Sequence, residues 1–92
     1  MKYTIRVTKR FVKDAELCKR RGCDMQLLRD AMNQLAETGT LPAQYHPHKL
    51  TGNYVGMWEC HIRPDWLMVW EPHDNEMIML FSRTGSHADL FK

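Results

Sequence analysis

At the start of the chain Tyr3, Ile5 and Val7 alternate with Lys2, Thr4 and Arg6. Side chains on a strand point to opposite faces in turn, so this alternation predicts an opening strand with one buried face. The period then becomes helical. Phe11, Ala15 and Cys18 form a stripe that Val12 widens, with Thr8 at the N-cap position and Gly22 as the stop. A second stripe of Leu27, Leu28, Ala31, Met32, Leu35 and Ala36 follows the capping residue Asp24 and ends at Thr38-Gly39. The short, Gly-containing joint between them predicts an αα-hairpin.

From Thr40 to Asn53, Pro42, Pro47 and Gly52 interrupt a polar stretch, which predicts a surface loop. Three strands are expected after it, about Tyr54 to Ile62, Trp66 to Trp70 and Glu76 to Arg83. Pro72-His73-Asp74-Asn75 turns the last pair into a hairpin, and residues 84–92 form a short tail. The runs Trp66-Leu67-Met68-Val69-Trp70 and Met77-Ile78-Met79-Leu80-Phe81 are apolar at every position, as in strands covered on both faces, so they belong to the sheet centre. Strand, helix, helix and three strands make an α+β fold, a helical pair packed on a mainly antiparallel sheet. With 92 residues and 43% hydrophobic content the chain has interior enough for one core, so residues 1–92 are expected to form a single domain.

Charge changes the picture more than composition does. The balance is +2 overall, but residues 1–23 carry eight Lys or Arg against two acids, while residues 24–92 carry five against nine. Lys9, Arg10, Lys13, Lys19, Arg20 and Arg21 lie on the first helix or at its end, off the apolar stripe. Clustered cations attract a polyanion such as RNA, or an acidic protein segment, although a plain solvated helix face has the same composition. No run approaches the roughly twenty apolar residues that cross a bilayer, and Met1-Lys2-Tyr3-Thr4-Ile5-Arg6 has no apolar signal segment. No membrane partner is therefore expected, and the cytoplasm is the expected location. Three cysteines, Cys18, Cys23 and Cys60, predict free thiols in such a chain.

All five histidines, His46, His48, His61, His73 and His87, fall from residue 46 onward together with Asp65, Trp66, Arg83 and Phe91. RNA is cut without a metal when a base takes the proton of the ribose 2′-hydroxyl, a cation steadies the phosphorane and an acid protonates the departing 5′-oxygen. Histidine populates both protonation states near neutrality and can fill either proton-transfer role. Asp65 can orient a histidine or accept the proton itself. Arg83 carries a permanently charged fork suited to phosphate, or else pairs with Asp65 or Asp89. His61 alternates away from Trp58, Cys60 and Ile62, which places it with Met57 and Glu59 on the other strand face. Trp66 and Phe91 offer rings for stacking on bases, or serve as core and tail anchor. His73, in the hairpin turn, is read as ordinary surface.

Two other classes stay open. A non-catalytic RNA- or ribosome-binding module needs the basic helix and the aromatics but no histidine pair. A zinc-stabilised domain would draw on Cys18, Cys23, His46 and His48, although the cysteine spacing is loose.

Leu50-Thr51-Gly52-Asn53-Tyr54, Gly56, Glu59-Cys60-His61-Ile62, Pro64-Asp65-Trp66 and Arg83-Thr84-Gly85-Ser86-His87-Ala88-Asp89-Leu90-Phe91 resemble the YafQ-type toxins of the RelE superfamily. The likeness spans the chain in element order and about residues 48–91 in motif. It implies a metal-independent endoribonuclease, without cofactor, that cleaves messenger RNA on the ribosome, contacts ribosomal RNA and is neutralised by a cognate antitoxin protein. Carried across by motif, it implies catalytic roles for His48, His61, Asp65 and His87, with His87 as candidate general acid, and substrate contacts by Arg83, Trp66 and Phe91. His46-Pro47-His48 offers two loop histidines, and His48 is preferred because its spacing to His61 suits the family pattern. The basic first helix is then expected to meet ribosomal RNA or an acidic antitoxin segment.

Overall fold

The computed structural model describes residues 2–91. Thr4–Val7 form strand β1, as the alternation predicts. Thr8 caps helix α1 (Lys9–Arg20) by accepting the Phe11 amide at 2.9 Å, a contact of a kind that contributes about 1 kcal/mol. α1 ends at a left-handed Gly22 (φ +86°), where the Gly22 amide donates to the Lys19 carbonyl at 3.0 Å and the Cys23 amide to the Cys18 carbonyl at 3.1 Å. This double closure satisfies carbonyls left over by the helix and hands the chain straight to helix α2 (Met25–Thr38). Asp24 caps α2 by accepting the Gln26 amide at 3.1 Å.

The remaining elements are β2 (His48–Lys49), β3 (Trp58–Arg63), β4 (Trp66–His73), β5 (Ile78–Gly85) and a four-residue helix α3 (His87–Leu90). Their bounds correct the sequence reading in four places. Tyr54 to Met57 are not strand, because Gly52–Tyr54 form a single 3₁₀ turn and Gly56 takes φ +92°, a backbone state that overrides the local alternation. β2 lies inside the stretch read as loop. The tail is half strand and half helix, since β5 runs on to Gly85 and Ser86 then caps α3. The last hairpin turns at Asp74–Glu76 and a left-handed Met77, later than Pro72–Asn75.

The strands are ordered β1-β5-β4-β3-β2, with β1 parallel to β5 and the other neighbours antiparallel. The two wholly apolar runs sit on β4 and β5, inside the sheet as expected. Phe11, Leu28 and Leu35 of the helices pack against Cys60, Met68, Trp70, Met79 and Phe81 on one face of the sheet. The other face carries a small cluster of Leu67, Val69 and Leu90 flanked by Leu50 and Met57. Among the described residues no helix is long and apolar enough to cross a membrane.

One irregularity decides what the open face displays. Val69 pairs with Arg83 and Trp70 with Phe81, so Ser82 is an extra residue in β5. Because strand faces alternate, this bulge reverses the phase. Met79 and Phe81 meet the helices before it, and Thr84 lies on that side after it, accepting from Trp66 Nε1 at 2.9 Å. Arg83 is thereby sent to the open face beside Val69.

The three cysteines are free. Burial pushes the Cys60 thiol up to about 12 and is the main cause that takes Cys18 to about 11, which keeps both protonated and unreactive near neutrality. Among the described residues no three His, Cys, Asp or Glu side chains converge as metal ligands.

Candidate active site

Two adjacent rows cross the open face. His48, Glu59, Val69 and Arg83 are register partners from β2 to β5, and His61, Leu67 and Gly85 make the next row. Register partners share a face and lie roughly 5 Å apart, so residues remote in sequence become neighbours.

His61 is the hub of the histidine cluster. Its ring centroid is 6.0 Å from that of His46, 6.4 Å from His48 and 5.9 Å from His87. His61 Nδ1 donates to the Pro64 carbonyl at 3.2 Å. A carbonyl only accepts, so this bond puts the proton of the neutral ring on Nδ1 and leaves a lone pair on Nε2. His48 differs. Its Nδ1 donates to the His46 carbonyl at 2.9 Å, and its Nε2 lies 3.2 Å from Glu59 Oε1. Both ring nitrogens face acceptors, and only the imidazolium can donate to both. Glu59 is 6% exposed and its Oε2 is unpartnered among the described residues, so this buried carboxylate leans on His48.

The tight turn before β4 places Asp65 beside the start of α3, because Leu67 pairs with Gly85. Asp65 Oδ1 accepts the His87 amide at 3.0 Å and His87 Nδ1 at 2.8 Å. These N–H groups, the amide foremost, hold the Asp65 carboxyl below its ordinary value. Asp65 is therefore a weaker base than a free aspartate, and the contacts of its carboxylate are to His87. A carboxyl pKa depressed on folding contributes stability above the ordinary carboxylate range, lost as pH falls through the lowered value. In His87→Ala the amide bond survives, so the Asp65 pKa is expected to return only part way to normal. A carbon-detected NMR titration of the Asp65 carboxyl checks this; an unmoved midpoint would show that the ring has no share in the shift.

Arg83 pairs with neither Asp65 nor the Asp89 carboxylate. Its Nε and Nη2 donate to Asp14 of α1 at 2.7 and 3.4 Å, and Nη2 also reaches the Asp89 carbonyl at 3.4 Å. Only Nη1 has no partner among the described residues, so a phosphate would meet one edge of the fork. Trp66 is a correction. It is 5% exposed in the main core with its indole N–H bonded to Thr84, so its ring is closed to a base. Phe91 is 42% exposed and meets Tyr54 edge-on at 5.9 Å, a two-ring platform that the sequence reading had only half identified. His73 lies outside the cluster, its Nε2 2.6 Å from Glu71.

A profile described as "Bacterial toxin of type II toxin-antitoxin system, YafQ" matches residues 3–92. The chain belongs to the YafQ toxin family. The mRNA interferase toxin YafQ of Escherichia coli K12 is 38% identical over 82 residues, spanning 88% of this chain and 87% of that protein. YafQ in the crystal structure of the E. coli DinJ-YafQ complex is 34% identical, with a TM-score of 0.89 over 98% of this chain and 99% of that one. A metal-bound toxin from Helicobacter pylori is 35% identical, with a TM-score of 0.89 over 97% and 99%. The fold read from the sequence is thus that of YafQ.

Within this family member the basic helix divides in two. Lys9, Lys13, Lys19 and Arg20 are exposed, and no hydrogen bond or ion pair engages them among the described residues. Arg10 lies 3.6 Å from Asp14, and the Arg21 fork, still exposed, is held by Asp89 at 2.6 and 3.3 Å. Sequence reasoning gives no site role to Glu59, Tyr54 and Asp14, because each meets its partner only across the fold. His46, the loop histidine to which His48 is preferred in the sequence, takes the left-handed conformation (φ +51°), with its ring edge-on to His61.

Proposed function

We propose that this chain is an endoribonuclease that cuts messenger RNA on the ribosome by attack of a ribose 2′-hydroxyl on the adjacent phosphate. The observation that carries the reading is His61 set between His48 and His87, with Asp65 behind His87. His61 Nε2 takes the 2′-hydroxyl proton, the O2′–P bond forms as P–O5′ breaks, and His87 protonates O5′. A 2′,3′-cyclic phosphate and a 5′-hydroxyl result. Asp65 steadies the His87 imidazolium as a carboxylate steadies the histidine of a hydrolase triad. His48, paired with Glu59, and Arg83 from the same row supply positive charge to the phosphorane. Tyr54 and Phe91 stack on bases.

The name of the E. coli relative, an mRNA interferase, supports the substrate. The site is a shallow face rather than a cleft, with His48 and His87 exposed. Free single-stranded RNA would find little to hold it there, which favours a strand presented by the ribosome, with the cytoplasm as the proposed location.

The test adds purified protein to a translating extract and maps new 5′ ends, with a chelator of zinc and copper that spares magnesium. Codon-phased cuts bearing 5′-hydroxyls are expected with and without the chelator, and none on ribosome-free mRNA. Cutting abolished by the chelator would move the chemistry to a metal. Ribosome binding with no cutting would leave the binding-module reading.

The DinJ-YafQ complex supports a protein antitoxin as partner, and the exposed cations of α1 fit an acidic segment of it. Glutamate at Lys13, Lys19 and Arg20 together is expected to weaken antitoxin affinity by at least about tenfold at low salt, the gap closing as salt rises. Calorimetry across a salt series that shows equal affinities would place the antitoxin elsewhere.

A further inference from the structure

α3 is far too short to be stable by itself, and Leu90 is its one buried residue. Something outside it must hold His87. Asp89 Oδ2 accepts the Ser86 amide at 2.9 Å while Ser86 Oγ accepts the Asp89 amide at 3.1 Å, a reciprocal cap. The same carboxylate accepts Arg21 Nη1 at 2.6 Å and Nη2 at 3.3 Å from the joint between α1 and α2. That joint is rigid, because the double closure at Gly22 fixes the backbone on either side of Arg21. Gly85 makes room for the arrangement: at φ +150° a Cβ there would come within 2.9 Å of Asp89 Oδ2. Pairing with Arg21, foremost, and the Ser86 bonds hold the Asp89 carboxyl well below the usual carboxylate range, so the tie persists throughout the neutral region.

We propose that Arg21 is a positioning residue for RNA cleavage, which through Asp89 ties α3 to the helix pair and so keeps the His87 ring beside His61. This rests on the acid-base reading above. It also assigns Arg21 a role different from that of its basic neighbours, whose charges face solvent. A surface ion pair adds little to global stability, but here it orients an element with almost no packing of its own, so its effect falls on catalytic geometry.

The test compares wild type, His87→Gln, Arg21→Gln, Arg21→Lys, Asp89→Asn and the double variant Arg21→Gln/Asp89→Asn. Cleavage of ribosome-bound mRNA gives kcat and KM, and hydrogen exchange of the His87 amide reports on α3. Arg21→Gln and Asp89→Asn are each expected to lower kcat about tenfold, short of the hundredfold that a 1 Å misplacement can cost. KM for ribosomes should stay unchanged and exchange at His87 should quicken. The double variant falls no further than either single one, because both remove the same tie, and Arg21→Lys recovers part of the loss. A raised KM with unchanged kcat would instead make Arg21 a ribosome contact and overturn the proposal, as would losses that multiply in the double variant. If His87→Gln cuts as fast as wild type, the acid-base reading fails and the proposal with it. If only His87→Gln is impaired while the Arg21 variants cut normally, positioning alone fails.

Discussion

His87→Ala cuts ribosome-bound messenger at least about a hundredfold more slowly than the wild type, the usual scale of a lost general acid. The ring it removes lies 5.9 Å from His61 and is oriented by Asp65 at 2.8 Å. It is exposed on α3, so its loss leaves no cavity and the melting temperature should hold. The Asp65 contact to the backbone amide and the Arg21–Asp89 tie both survive, so α3 stays in place. The loss should therefore appear in kcat with KM little changed, the pattern of an interaction made only in the transition state. Mapping 5′ ends over a time course in a translating extract measures it. Equal rates for the two proteins would take His87 out of the mechanism and leave His48 and His61 to share both proton transfers.

Asp14→Ala lowers the unfolding free energy by about 3 kcal/mol, at the lower end of the range for breaking a buried ion pair because Arg83 keeps some solvent contact. β1 pairs with β5 only from Ile78 to Phe81, so the edge of β5 beyond that point has no strand beside it. α1 fills the gap. Asp14, 8% exposed, accepts the Thr84 amide at 3.2 Å and Arg83 Nε at 2.7 Å, a side-chain substitute for the missing ladder. Alanine strands a buried N–H and frees the guanidinium, and each lost partner is costly where water is excluded. For a domain of this size the melting temperature should fall by roughly 12 to 24 °C. Asp14→Asn retains an acceptor for Thr84 and should lose less. A thermal melt within a few degrees of wild type for Asp14→Ala would show that water replaces the carboxylate and that the edge of β5 is not buried in solution.

The order of elements was legible because it depends on local rules. Thr8 and Asp24 cap the helices they were assigned to, Gly22 and Gly39 end them, and the two apolar runs lie inside the sheet. α3 was also written locally, since Ser86 and Asp89 have the spacing of a reciprocal cap, but a run this short reads as tail. β2 was not legible at all. A two-residue strand has no period, and only pairing with Trp58 and Glu59 makes it one.

The site divides in the same way. Residue chemistry and motif were enough to single out His48, His61, Asp65 and His87, which the fold brings together. The same chemistry misplaced Trp66, because an indole is equally at home in several environments. Sequence by itself determined the helices, the central strands and the set of groups able to move protons. Tertiary structure alone decided their arrangement. The extra residue at Ser82 sets which face Arg83 occupies, register puts His48 in its row, and a carboxylate from α3 captures Arg21. These outcomes depend on pairing between segments far apart in the chain, and no local periodicity encodes them.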